Sequence, residues 1–257
     1  MGCCASAKTV AQEEIVISIF GLNNAGKTCL LHALNGSYDF DCVPTIGFAH
    51  ATMMYDATKL TIYDLGGSAK FRSVWQRYYA FIFGFVYVVD SSDPEKFEES
   101  KKTLEGILAH PMMAGKPYVV VANKQDIDGH VSKDEIRKKL EIPEDVEIYD
   151  AIVTEVKDGK CNPGVTNSVT KLIQKILNSY DSIQKKRVAD IEEQEEIEKA
   201  EHAKKLERIR SRQNEESSES SSNSIQPSSD HATSSNGTKI NNNSTTLESN
   251  IDDETRN

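Results

Sequence analysis

Residues 21–28 read Gly-Leu-Asn-Asn-Ala-Gly-Lys-Thr, a spacing built for phosphate chemistry. Glycines at the first and sixth places let the backbone curl, so that the N–H groups of Asn23, Asn24, Ala25 and Gly26 turn inward towards phosphate oxygens. Lys27 supplies a point charge for the outer phosphates, and the Thr28 hydroxyl suits Mg²⁺. An apolar run, Ile15-Val16-Ile17-Ser18-Ile19-Phe20, precedes the loop, and a helical pattern from Lys27 to Asn35 follows it. That strand–loop–helix order seats a phosphate on a helix N-terminus.

Three further segments narrow the ligand to a guanine nucleotide. After the run Tyr118–Ala122 comes Asn123-Lys124-Gln125-Asp126. A carboxylate at Asp126 accepts from guanine N1–H and its exocyclic amine, a pair of donors that adenine lacks. Lys124 lays its stem along the ring, and Asn123 ties the base loop to the phosphate loop. A later strand signal, residues 147–151, ends at Ala151, whose N–H is expected to meet guanine O6. In Asp64-Leu65-Gly66-Gly67, a strand delivers Asp64 to hold Mg²⁺ through water, and Gly67 offers a backbone N–H to a γ-phosphate. In Pro44-Thr45-Ile46-Gly47, Thr45 is placed as a second hydroxyl ligand of Mg²⁺ when GTP is bound.

These elements need one core, and the composition supplies one. The chain has 257 residues; the apolar runs fall between about 13 and 180, which is enough for a single sizeable domain. From 213 to the end Ser, Asn and Thr dominate, a composition that cannot bury enough surface to order itself. The formal net charge of −10 argues against a nucleic-acid binder. Five cysteines, an odd number, fit a reducing compartment better than a disulfide framework. No apolar stretch is long enough to span a bilayer. The start, Met1-Gly2-Cys3-Cys4-Ala5-Ser6, fits N-myristoylation at Gly2 beside two cysteines suited to S-acylation. One myristoyl chain gives only marginal attachment, about 10⁴ M⁻¹, so the second signal matters.

Between 181 and 212 there is no Gly or Pro, and the stretch carries nine basic and nine acidic residues. Glu195–Lys199 and Glu201–Lys205 stand in the favourable i, i+4 order. Ile183, Val188, Ile191, Ile197, Leu206 and Ile209 are too sparse for a sustained heptad seam. The expectation is one solvated charged helix, with a coiled-coil pair as the alternative.

Together these residues resemble the Arf and Arf-like small GTPases. Asp64-Leu65-Gly66-Gly67, Phe71-Arg72-Ser73-Val74-Trp75-Gln76-Arg77-Tyr78-Tyr79, Val88-Val89-Asp90-Ser91-Ser92-Asp93 and Ala122–Asp126 carry the likeness over residues 13–180. The resemblance implies an α/β P-loop fold: a doubly wound, mostly parallel six-stranded sheet, with nucleotide at the strands' carboxyl ends. Here a long charged helix and a disordered tail follow it.

The pattern breaks where the family carries its water-orienting Gln: this chain has Ser68, too short for that task. Asn23 also replaces the Asp usual in Arf-type loops. The resemblance therefore implies slow hydrolysis unless Lys70 or a partner fills the role.

The missing Gln, the long helix, His110-Pro111 and Gly115-Lys116-Pro117 are similar to the ciliary branch of the family. That likeness implies attachment to the cytoplasmic face of the cilium membrane, effectors of the GTP state, and exchange-factor activity towards a related Arf-like GTPase. It makes Arg72 and the helix residues Lys199, Lys204, Lys205 and Arg208 candidate contacts. Against it, Arg187-Val188-Ala189-Asp190 lacks the Pro of the branch's targeting element. A nucleotide-independent adaptor and an ordinary trafficking GTPase are the competing readings.

Overall fold

The computed structural model of the protein describes residues 14–38, 40–55, 58–157 and 159–222, with side chains to 211. Gly2, Cys3 and Cys4 lie outside the described residues, as does the stretch 223–257.

Six strands form one sheet: β1 (Glu14–Gly21), β2 (Phe48–Tyr55), β3 (Thr58–Leu65), β4 (Gly84–Asp90), β5 (Tyr118–Asn123) and β6 (Ile148–Asp150). Their order is β2-β3-β1-β4-β5-β6. Only β2 runs antiparallel to its neighbour, pairing Phe48 with Leu65 and Tyr55 with Thr58. β1, β4 and β5 read as nearly unbroken apolar runs because helices cover both of their faces. β2 lies at the edge and is largely exposed. A short hairpin, β7 (Val156–Lys157) with β8 (Lys160–Cys161), stands apart from the sheet.

The helices are α1 (Lys27–Leu34), α2 (Ala69–Arg72), α3 (Gln76–Tyr79), α4 (Phe97–Leu108), α5 (Lys133–Leu140), α6 (Pro163–Asn178) and α7 (Tyr180–Ser222). Their starts follow local chemistry. The Ser132 hydroxyl accepts from Glu135 N–H to cap α5, while Asn162 accepts from Gly164 N–H beside Pro163 to cap α6. The core is aromatic at its centre: Phe20 packs on Trp75 at 5.0 Å and on Phe85 at 5.4 Å, and Phe85 stacks on Tyr118.

The chain divides into a unit ending at Ala203 and a second beginning at Lys204. Within the first unit, α7 departs from the expected solvated helix. Ile183, Asp190 and Gln194 are buried. Tyr180 stacks on Phe83 at 5.3 Å, and the Arg187 guanidinium lies 4.6 Å from the centroid of the same ring. Below them the Lys116 ammonium, fully buried, donates to Tyr79 O at 2.5 Å and faces Asp190 Oδ2 at 3.5 Å. Asp190 also receives Lys186 at 2.7 Å. A buried cation and its carboxylate thus fix this end of α7 to the domain. The helix also runs past the expected end at 212, over part of the stretch expected to be disordered.

Candidate functional site

β1 ends at Gly21 and the chain turns through Asn23 and Asn24 into α1, leaving a cleft of about 490 Å³ at the carboxyl ends of the strands. Asn24 adopts φ +64°, a left-handed conformation that Asn tolerates better than most residues. Gly26 has φ +96°, and a Cβ there would sit 2.2 Å from Asn123 Nδ2. Only glycine lets the base loop approach so closely. Asn123 Nδ2 donates to Ala25 O at 2.8 Å, and its Oδ1 accepts from Val153 N–H at 3.1 Å.

At the cleft floor three oxygens converge. The Thr28 hydroxyl donates to Asp64 Oδ2 at 2.7 Å, the Thr45 hydroxyl donates to the same atom at 2.9 Å, and the two hydroxyls lie 2.8 Å apart. Asp64 is fully buried, and its second oxygen, Oδ1, has no hydrogen-bond partner among the described residues. A buried carboxylate oxygen without a donor is costly unless a cation meets it. One carboxylate and two hydroxyls are hard oxygen donors, too few for Ca²⁺ but suited to a Mg²⁺ that also takes water and phosphate. The residues therefore fit Mg²⁺.

Lys27 is buried, and its ammonium donates to Leu22 O at 2.8 Å. Burial pushes its pKa down to about 8; the Asp64 carboxylate opposes that shift and the Arg72 guanidinium adds to it. Gly67 lies directly against it, since a Cβ at Gly67 would be 2.3 Å from Lys27 Nζ. Two donors fix the double glycine: Trp75 Nε1 donates to Gly66 O at 3.0 Å, and Arg72 Nε donates to Gly67 O at 2.9 Å. Neither role was readable from the motifs alone. Ser68 follows, half-buried at the start of α2, with its carbonyl accepting from Phe71 and Arg72 N–H.

One sequence expectation changes. Ala151 N–H donates to Ala122 O at 2.9 Å, extending the β5–β6 ladder, so it is not available to a base. The next residues fold back on the Asn-Lys-Gln-Asp loop, where Val153 N–H donates to Asn123 Oδ1. Arg72, a candidate contact, is engaged within the domain: besides Gly67 O it pairs with Glu99 at 2.5 Å and donates to Thr103 Oγ1. Among the remaining candidates, Lys124 takes φ +68° and pairs with Asp90 at 2.6 Å, and Asp126 is exposed. Lys199 is exposed and pairs with Glu195 at 3.6 Å; Lys204, Lys205 and Arg208 are exposed on the later part of α7.

A phosphate loop, a cluster of two hydroxyls and a buried carboxylate, and the Asn-Lys-Gln-Asp loop on one edge of this sheet define a P-loop nucleotide-binding domain of the small-GTPase kind. Residues 3–180 match the ADP-ribosylation factor family, and the chain belongs to that Arf family of small GTPases. ADP-ribosylation factor-like protein 13B of Chlamydomonas reinhardtii is 42% identical over 129 residues, covering 50% of this chain and 24% of that protein. ADP-ribosylation factor-like protein 2 of Dictyostelium discoideum is 40% identical over 131 residues, 51% of this chain and 71% of that one. The fold also matches the Arl6 BBS3 small GTPase of Trypanosoma brucei solved with the nucleotide analogue GppNp, at a TM-score of 0.56 and 24% identity over 65% of this chain and 99% of that one. The chain thus spans about a quarter of the Chlamydomonas relative it matches.

Proposed function

We propose that this protein is a membrane-anchored GTP switch of the ciliary Arf-like type, slow to hydrolyse GTP and active as an exchange factor towards a related Arf-like GTPase. The observation that carries the switch is the meeting of Thr28, Thr45 and Asp64 within 2.9 Å. Thr28 and Asp64 stand on the rigid strand–helix frame, whereas Thr45 comes from the exposed segment between α1 and β2. A ligand that rewards their meeting therefore orders that segment, which is how a bound γ-phosphate is read out.

Asn23 to Gly26 present backbone N–H groups to the phosphates, and Lys27 neutralises their outer charge. Thr28, Thr45 and Asp64 hold Mg²⁺, which when bound offsets charge on the β- and γ-phosphates. Asn123 braces the phosphate loop through Ala25, and Asp126 and Lys124 take the guanine. Gly67 turns its amide to the γ-phosphate while Arg72 steadies the carbonyl of the same residue. Ser68 leaves the attacking water without a long amide to orient it, so the GTP state persists.

Gly2, Cys3 and Cys4 would carry the acyl anchor, and the similarity to the Chlamydomonas protein supports placing that membrane at the cilium. The exposed cations Lys199, Lys204, Lys205 and Arg208 are the proposed contacts for the partner GTPase. An adaptor indifferent to nucleotide has no use for the buried Lys27 and Asp64. The test is release of a fluorescent GDP analogue from a purified related Arf-like GTPase. GTP-loaded protein should accelerate release and GDP-loaded protein should not; equal effects would favour the adaptor.

A further inference from the structure

Two sulfurs meet beside the metal cluster. Cys29 follows Thr28 in α1, and Cys42 lies three residues before Thr45 in the segment that closes over the cleft; both line it. The Cys29 Sγ–H points at Cys42 Sγ at 2.7 Å, against the ~2.05 Å of a bonded pair, and both residues are half-buried. His32, one turn along α1, places Nδ1 3.8 Å from Cys42 Sγ. An imidazole there can take the thiol proton, and the thiolate is the reactive form.

We infer that Cys29 and Cys42 are a peroxide-sensitive dithiol whose disulfide clamps the 40–47 segment onto α1. The Cys42 thiolate attacks the peroxide: an S–O bond forms, the O–O bond breaks, and the departing hydroxide takes the proton held by His32 as water. The Cys29 sulfur then attacks the sulfenic sulfur: S–S forms, S–O breaks, and hydroxide leaves with the Cys29 proton as a second water. Two thiols lose two electrons and the peroxide gains them; a dithiol reductant reverses the change. The clamp ties the backbone bearing Thr45 to the helix bearing Thr28. It removes the local opening through which a bound nucleotide and its metal leave. The bond rests on the sulfur geometry alone, whereas its consequence for release rests on the guanine-nucleotide reading above.

The full chain is loaded with a fluorescent GDP analogue and Mg²⁺, treated with a small excess of hydrogen peroxide, and divided. One half is digested without reductant for peptide mass mapping, and the other is chased with unlabelled GDP. The account requires a linked Cys29–Cys42 peptide, release slowed about tenfold, and recovery on adding dithiothreitol. In Cys29→Ser and Cys42→Ser the ratio of oxidised to reduced release rates returns to one. A protein that holds the nucleotide but yields no Cys29–Cys42 peptide overturns the inference, as does a linked peptide with unchanged release. A linked peptide in a protein that takes up no guanine nucleotide leaves the clamp standing and removes the proposed function instead.

Discussion

Lys27 and Ser68 set what the cleft does. In the ligand-free cleft burial pushes the Lys27 pKa down to about 8, so above that pH Lys27 loses its charge. A bound phosphate restores the charge, and binding above pH 8 therefore takes up a proton and weakens as pH rises. With that pKa, GDP affinity should fall about fourfold between pH 7 and about pH 8.5. Titration calorimetry in buffers of different ionisation heat measures both the affinity and the proton uptake; a flat profile would mean that Lys27 keeps its proton throughout. At Ser68, Ser68→Gln should raise single-turnover GTP hydrolysis by about tenfold or more, since a positioned water is most of what the chemistry needs. An unchanged rate would move the cause of slowness elsewhere. The residues that line the cleft could be read in the sequence because each motif is contiguous, so spacing alone conveys geometry. Ala151 shows the limit: a three-residue strand, Ile148–Asp150, does not fix its own register, and the ladder to β5 consumed the amide meant for the base. The thiol pair and the clamps on Gly66 and Gly67 went unread because each depends on how an irregular loop folds back on its neighbour, which spacing alone does not convey.

At the level of elements, α7 is where the sequence pattern misled. A sparse apolar stripe signals a solvated helix when only i, i+3 and i+4 neighbours are considered. Lys116 and Asp190 sit on different elements, and no local rule pairs a loop lysine with a helical aspartate. Burial pushes the Lys116 pKa down to about 8, with the Asp190 carboxylate opposing that shift, so the ammonium depends on its partner. Removing one partner of a buried pair leaves an uncompensated charge, which is the costly case. Asp190→Ala should therefore lower stability by about 3 kcal/mol, read as an earlier urea midpoint. Replacing both, Lys116→Met with Asp190→Leu, should recover most of that loss. A single variant as stable as the wild type would show that α7 is held by Tyr180, Ile183 and Arg187 alone. The sheet was legible in part: the runs that form β1, β3 and β5 can be read directly and the mostly parallel six-stranded arrangement follows from the family resemblance, whereas the exposed edge strand β2 was not read.

Taken whole, the molecule joins a nucleotide cleft to a helix anchored on the same domain, with a candidate lipid site at its start. Among the described residues no helix is long and apolar enough to cross a membrane. The proposed attachment is through acyl chains at Gly2, Cys3 and Cys4. Cells fed an azido-myristate should label the wild type and not Gly2→Ala, and the variant should shift from the membrane to the soluble fraction. Absence of label on the wild type would remove the anchor without touching the cleft. The cleft itself is tested most directly by melting the purified chain with Mg²⁺ and nucleotide. GDP or GTP at about a thousandfold excess over its dissociation constant should raise the melting temperature by about 8 °C or more, and ADP or ATP should leave it in place. A melting temperature unmoved by guanine nucleotides, or moved equally by adenine ones, would contradict the reading of Lys27, Asp64, Asn123 and Asp126 as one guanine-nucleotide site.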